Sequence, residues 1–204
     1  SDVCSSDLEK WKLVIQDIEE VHASGRPILV GTRTIKESEE LTELLEKKGV
    51  ECILLNALHH QEEADIIAIA GERGRITVAT NMAGRGTDIL LDKEVIESGG
   101  LHVISTQRHE SLRVDLQLFG RAARQGQPGT VREILSIDDI VMENLCPSYL
   151  RDFLTKILKS KLGRILVSAV YNHYQRYADK QSSNIRAKIL EKDFSLNEML
   201  SFSK

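Results

Sequence analysis

Aromatic residues, cysteines and catalytic signature sequences are all scarce in this chain. Only 4% of its 204 residues are aromatic, and Trp11 is the one tryptophan. The core must therefore be built from Ile, Leu, Val and Ala, which favours α/β or helical layers over a β-sandwich. The three cysteines, Cys4, Cys52 and Cys146, lie far apart with no C-x-x-C pair. That pattern supports neither a disulfide framework nor a zinc ribbon and fits a reducing compartment, with Cys52 as core packing. No apolar run approaches the roughly 20 residues of a membrane helix. No stretch joins a basic start, an apolar middle and a small-residue cleavage site, as a secretory signal does. Neither G-x-x-x-x-G-K-[ST] nor a D-E-A-D-like segment occurs, so the phosphate cradle and the metal-holding carboxylates of a nucleotide hydrolase are not in this chain. His59-His60 with Glu62-Glu63 is a poor metal cluster, because adjacent histidines face different sides of a helix. His109-Glu110 has no evident nucleophile beside it.

At 41% hydrophobic and 28% charged, the composition is that of a soluble globular protein. Its length allows one domain with an appendage or two small domains. The net charge of -4 hides a division: residues 1–150 carry 16 Lys and Arg against 26 Asp and Glu, whereas 151–204 carry 11 against 5. The break falls after Pro147, where the pattern also becomes wholly helical, so a boundary is expected there. The basic tail suits phosphate, an acidic partner or anionic lipid, and equally a solvated helix face. Residues 1–8 show no periodicity and are set aside as a non-native or unstructured leader.

Hydrophobic periodicity predicts a helix over 9–24 with Trp11, Val14, Ile15, Ile18 and Val21 on one side, ended by Gly25 and Pro27. A buried strand over 28–30 follows. The next helix, 34–48, has Thr34 as N-cap, Glu37 completing a capping box and Gly49 as its stop. The unit then repeats: strands at 52–55, 76–79, 101–104 and 131–135, helices at 59–70 and 110–124. Strands alternating with helices demand crossover connections, hence a mostly parallel sheet covered on both faces. Ligands of such sheets bind beyond the carboxyl ends of the strands, which directs attention to the loops after Val30, Ala79 and Ile104. Helices are expected over 138–145, over 148–178 with a break near Gly163, and over 184–201. Without a core of their own, they should pack on the α/β part.

Three segments stand at strand ends. Val30-Gly31-Thr32 is a common strand-to-helix turn. In Ala79 to Asp88, A-T-N-M-A-G-R-G-T-D, Gly84 and Gly86 around Arg85 let the backbone approach a phosphate. Asp88 there can orient Arg85 or a neighbouring catalytic group by a charge-assisted hydrogen bond. In Gln117 to Gly126, Q-L-F-G-R-A-A-R-Q-G, Arg121 and Arg124 are three apart, so both guanidinium groups leave one face of a helix, and Gly120 lets that helix sit close to another surface. Two planar cations aimed at one point suit a transferring phosphoryl group. An arginine pair at this spacing is more often a solvated face, and a lone G-R-G is usually a turn; the combination and order of the segments carry the argument.

That order resembles the carboxyl-side motor domain of superfamily-two helicase-like ATPases and, more narrowly, the SecA family of preprotein translocase motors. The phrases R-P-I-L-V-G-T-R-T-I-K-E-S-E-E-L, I-T-V-A-T-N-M-A-G-R-G-T-D-I, G-G-L-H-V-I-S-T-Q-R-H-E-S and Q-G-Q-P-G-T resemble that family's second nucleotide-binding domain over about residues 9–145. S-I-D-D-I-V-M and Ser183-Asn184-Ile185-Arg186 are similar to its entry into a helical scaffold. The resemblance implies a RecA-like parallel sheet of the P-loop NTPase, helicase C-terminal-like type over 9–147, followed by an all-α scaffold segment over 148–204. It implies ATP with Mg held between two such domains, Arg121 and Arg124 as arginine fingers and Gln117 opening their motif. Gly84, Arg85, Gly86 and Asp88 match the segment that couples nucleotide state to domain movement. The implied partners are the first nucleotide-binding domain, a SecYEG-like channel, a preprotein, an acidic phospholipid surface and a second copy of the chain. The implied location is cytoplasmic, peripheral at the inner face of the bacterial cell membrane. The chain would then be a carboxyl-side fragment giving half of a composite site and inactive alone. Ala123 stands where the family has a second glycine and Phe119 where a basic residue is frequent, which points to a divergent paralogue.

The alternatives are a nucleic-acid helicase domain and a non-catalytic docking module. The acidic balance of the α/β part and the scarcity of stacking aromatics argue against nucleic acid. The motor reading depends on both guanidinium groups reaching a cleft at the carboxyl edge of the sheet without being locked in internal ion pairs.

Overall fold

A computed structural model describes residues 2–55, 66–80, 87–158 and 160–201. Six strands form one sheet: β1 (Asp2–Cys4), β2 (Ile28–Thr32), β3 (Ile53–Leu55), β4 (Ile76–Thr80), β5 (Leu101–Ser105) and β6 (Gly129–Ser136). Their order is β1-β6-β5-β2-β4-β3, and every pairing is parallel. The helices are α1 (Asp7–His22), α2 (Ile35–Lys47), α3 (Lys93–Glu97), α4 (Leu112–Phe119), α5 (Ile140–Leu145), α6 (Ser148–Ile157) and α7 (Lys161–Ser201). Most of the helix expected over 59–70 lies outside the described residues; 66–69 are helical.

The continuous apolar strands are buried on both faces because successive side chains alternate between them. On the first face Ile28, Val30, Ile76, Val78 and Ile104 pack against Val14, Ile15 and Ile18 of α1 and Leu41 and Leu45 of α2. On the second face Leu29, Ala79, Leu101 and Val103 meet Ile67, Leu118 and Ala122. Each fully buried aliphatic side chain contributes about 1.5–3 kcal/mol of transfer free energy. The α2 capping box forms as expected: Thr34 Oγ1 accepts from the Glu37 N–H, and Glu37 accepts from the Thr34 N–H at 3.1 Å.

A third cluster joins the sheet to the helices after it, with Leu135, Ile137, Met142, Leu154, Val167 and Tyr171 in contact. At its centre lies a buried polar network. Lys10 Nζ is 2.9 Å from Asp139 Oδ1, and both are essentially inaccessible. Asp139 Oδ2 accepts from Tyr171 Oη at 2.8 Å and from the Ser136 N–H at 2.9 Å. Burial pushes the Asp139 carboxyl up to about 6, against the pull of Lys10.

Three expectations are corrected. The leader is not unstructured: Asp2–Cys4 pairs with Ile134–Ser136 as an edge strand, Arg132 holds Asp2, and Cys4 is buried. Three residues are too few to show a period of two, so only the open edge of β6 reveals the strand. The helix expected over 110–124 closes at Phe119, with Gly120 as its C-cap. The helix expected separately over 184–201 is the end of one continuous α7. The break near Gly163 does occur, between Ile157 and Lys161. Ser160 Oγ accepts from the Gly163 N–H at 2.9 Å, and a Cβ at 163 would overlap the Ile157 carbonyl. Among the described residues no helix is long and apolar enough to cross a membrane.

Two stability changes follow. Lys10→Met leaves Asp139 buried without its cation, and urea unfolding at pH 8 should show a loss of about 3–5 kcal/mol. A folded-state pKa above the unfolded one gives stability that is present below about pH 4 and lost as pH rises through about 6. Removing Lys10 raises that pKa further, so the loss from Lys10→Met should shrink at pH 5; a loss equal at both pH values contradicts the assignment. Gly129→Ala places a methyl on the Ala122 carbonyl, and the same titration should show a cost of about 1–3 kcal/mol.

Candidate functional site

The crossover from β5 to β6 determines where the candidate arginines go. Helix α4 starts from the carboxyl end of β5 and runs back along the second face. Residues after Phe119 therefore return toward the amino ends of the strands, as any crossover between parallel strands requires. A Cβ on Gly129, the first residue of β6, would overlap the Ala122 carbonyl, and one on Gly100, just before β5, would overlap that of Pro128. The 120–128 loop is thus pressed against the starts of β5 and β6. Arg121 and Arg124 lie on the second face and not at the carboxyl edge, which corrects the expected cleft.

The close approach expected at Gly120 falls at Gly129 instead. Gly120 has helical φ, and a Cβ there would meet only carbonyls of its own helix. Since the helix has ended, Ala123 lies in a turn with its methyl exposed, and nothing at that position requires glycine. Phe119 packs against the second core cluster, so an apolar side chain suits its place.

Gln117, Leu112 and Leu116 are all exposed on α4. Arg121 is half-buried, and burial lowers its pKa from the ordinary guanidinium value. Arg124 opens a short 3-10 turn, Arg124–Gly126, and pairs with Asp88. Asp88 therefore orients an arginine of the third segment, and the structure joins two segments some 36 positions apart in sequence. Both partners are substantially exposed, 39% and 54%. An exposed pair contributes about 0–1 kcal/mol, so Arg124 is held but not locked. Gly84, Arg85 and Gly86 lie outside the described residues, as do His59, His60, Glu62 and Glu63.

The carboxyl edge carries a different set of groups. Arg33, after β2, reaches Glu110 at 3.1 Å, and Glu37 also accepts from Gln107 in the loop after β5. Thr106 Oγ1 donates to the Gly31 carbonyl at 3.2 Å. Arg108 forms a bidentate pair with Glu133 of β6 at 2.8 and 3.0 Å, and donates to Asn172 and Gln175 of α7. Burial, then the charge of Arg33, lowers the His109 pKa. Asp115, in the first turn of α4, accepts from the His109 N–H at 3.0 Å and from Gln175 Nε2. Burial pushes its carboxyl up to about 6.

Arg108, Asp115 and Gln175 were not singled out from the sequence. The available signal was an aspartate on the apolar side of α4, one turn ahead of Phe119. Among the described residues no group of three or more His, Cys, Asp or Glu is placed to hold a metal ion.

Comparison with known proteins bears on this arrangement. The family described as SecA P-loop domain matches residues 2–95 and 91–161. The chain is 43% identical over 193 residues to the protein translocase subunit SecA of Nitratidesulfovibrio vulgaris, and 47% identical over 193 residues to the SecA 3 subunit of Magnetococcus marinus. Each alignment covers 93% of this chain but 23% and 29% of the relative, so the chain spans about a quarter of their length. Among solved structures, the Escherichia coli DEAD-box protein SrmB superposes with a TM-score of 0.54 at 23% identity, over 69% of this chain and 78% of that one. At that identity the likeness concerns the fold, and it agrees with the RecA-like parallel sheet that the family resemblance implies. The chain belongs to the SecA P-loop family.

Proposed function

We propose that this chain is the second motor domain, with the start of the helical scaffold, of a SecA-type ATP-driven preprotein translocase. Residues 9–147, with the edge strand Asp2–Cys4, are the motor domain and 148–204 the scaffold segment. The observation that carries the reading is the match of the SecA P-loop family to residues 2–95 and 91–161, and the contact of Asp88 with Arg124 adds a link between the two segments proposed to face a nucleotide. Arg121 and Arg124 fit the oxygens of a phosphoryl group, because planar guanidinium groups offer paired donors. ATP with Mg supplies the phosphoryl group and its charge neutralisation. Arg121 and Arg124 act as the fingers that stabilise charge on the peripheral oxygens. Gln117 opens their motif, and Gly84, Arg85, Gly86 and Asp88 form the segment that senses the nucleotide.

The composite site lies against the second face of the sheet. Exposed Leu116 on α4 offers apolar surface there for the first nucleotide-binding domain, which the longer relatives have room to supply. With no phosphate-cradling lysine sequence, the chain by itself is inactive. A SecYEG-like channel, a preprotein and an acidic lipid surface are partners of the whole motor, which works at the cytoplasmic face of the membrane. Its net negative motor domain sets it apart from a nucleic-acid helicase.

In the full-length protein, Arg121→Ala and Arg124→Ala should each lower ATP turnover by about 10³-fold. ATP affinity, followed with a fluorescent analogue, should change little. Turnover equal to that of the unaltered protein rejects the finger assignment.

A further inference from the structure

Helix α4 joins a polar anchor on α7 to the segment carrying the proposed fingers, and Leu118, Phe119 and Ala122 seat its far end on the second core cluster. Its eight residues span about 12 Å. At the amino end, Asp115 is 1% exposed and Gln175 is 4% exposed. Gln175 Nε2 donates to Asp115 Oδ2 and, at 3.2 Å, to the His109 carbonyl, while its Oε1 accepts from Arg108 at 3.2 Å. One amide on α7 thus engages the helix, the loop before it and the arginine that anchors that loop to β6. Arg108 also lies over the Tyr171 ring, 5.3 Å from its centroid. At the far end of the rod, one turn past the last helical residues, come Arg121 and Arg124. A crevice of about 250 Å³ opens at the junction itself, lined by Arg108, Asp115 and Gln175 together with Leu112, Phe119 and Arg176.

We propose that Gln175 is a positioning residue for the Arg121–Arg124 segment, transmitting displacement of α7 to it through Asp115 and the α4 rod. The proposal rests on the motor reading above. A helix shifted by about 1 Å along its neighbour changes the aim of a group at its end enough to cost up to about 100-fold in rate. Hydrogen bonds with a buried carboxylate give such a joint stiffness, because a broken one leaves an unpaired group in a dry site.

The test uses the full-length protein and measures kcat and KM for ATP together with the melting temperature. Gln175→Met keeps the bulk of the side chain and removes its hydrogen bonds. It should lower kcat by about 10- to 100-fold with KM for ATP within about twofold. Exchanging the two polarities, Asp115→Asn with Gln175→Glu, restores the donor–acceptor contact between the two and the acceptor for Arg108 but not the donor to the His109 carbonyl, and should recover part of the lost kcat. If Gln175→Met does not fold, Gln175→Asn, one methylene too short to span Asp115 and Arg108 together, takes its place. An unchanged kcat in these single variants, with Arg121→Ala still inactive, overturns the positioning role and leaves the fingers standing. A rise in KM alone, or no recovery in the exchanged pair at a restored melting temperature, also overturns it. Unchanged turnover in Arg121→Ala removes the finger reading itself.

Discussion

Two buried carboxylates fix the long helix on the sheet. Tyr171 and Gln175, one turn apart on α7, reach Asp139 and Asp115 respectively. Both aspartates are 1% exposed, and a buried polar group without a partner costs about 1–3 kcal/mol. Sliding α7 by one residue would turn both donors away from both acceptors at once. Apolar packing alone tolerates such a slip, because Leu, Val and Ile surfaces are interchangeable to a first approximation. The polar contacts select one register among several of similar burial, and Lys10 on α1 extends that selection to the first helix of the chain.

This helps to explain why α7 belongs with the sheet at one end only. Val167, Tyr171, Gln175 and Ala178 are buried, whereas Ile185, Ile189 and Leu190 are exposed. Gln181, Ser182 and Ile185 still line a crevice with Val141 and Leu145 of α5, and residues 183–193 are exposed. Its first half is a mount and its second half a projection. The proposed scaffold role needs both, since movement imposed on the projection has to reach the mounted turn.

The sheet and the core were readable from the sequence because parallel strands buried on both faces leave continuous apolar runs, as at Ile28-Leu29-Val30, that no surface strand shows. The Thr34–Glu37 capping box was readable because its partners lie three positions apart. The edge strand Asp2–Cys4 was not, since pairing with Ile134–Ser136 is decided by an open strand edge and leaves no local trace. The junction of Asp115 with Gln175 was hidden for the same reason, its partners being 60 positions apart. The misplacement of Arg121 and Arg124 has a different origin. Ligands of parallel sheets bind beyond strand carboxyl ends, but these two residues follow a crossover helix. The connection from β5 to β6 brings those residues back to the amino ends whatever their chemistry.

The two ends of α4 differ in the strength with which they are held, and the difference accords with their proposed tasks. Asp115 is buried, hydrogen-bonded twice and closed off from water, so its partners cannot be exchanged without a large cost. Arg124 and Asp88 meet in solvent, where an ion pair contributes about 0–1 kcal/mol and a phosphate can replace the carboxylate at little loss. An arginine buried as deeply as Asp115 would already have spent its donors on the protein. One left unpaired on the surface would keep no fixed aim. A weak, exposed pair at the end of a firmly anchored rod orients the cation and still releases it, which is the condition a group must meet if it is to act on a charge that arrives from another domain.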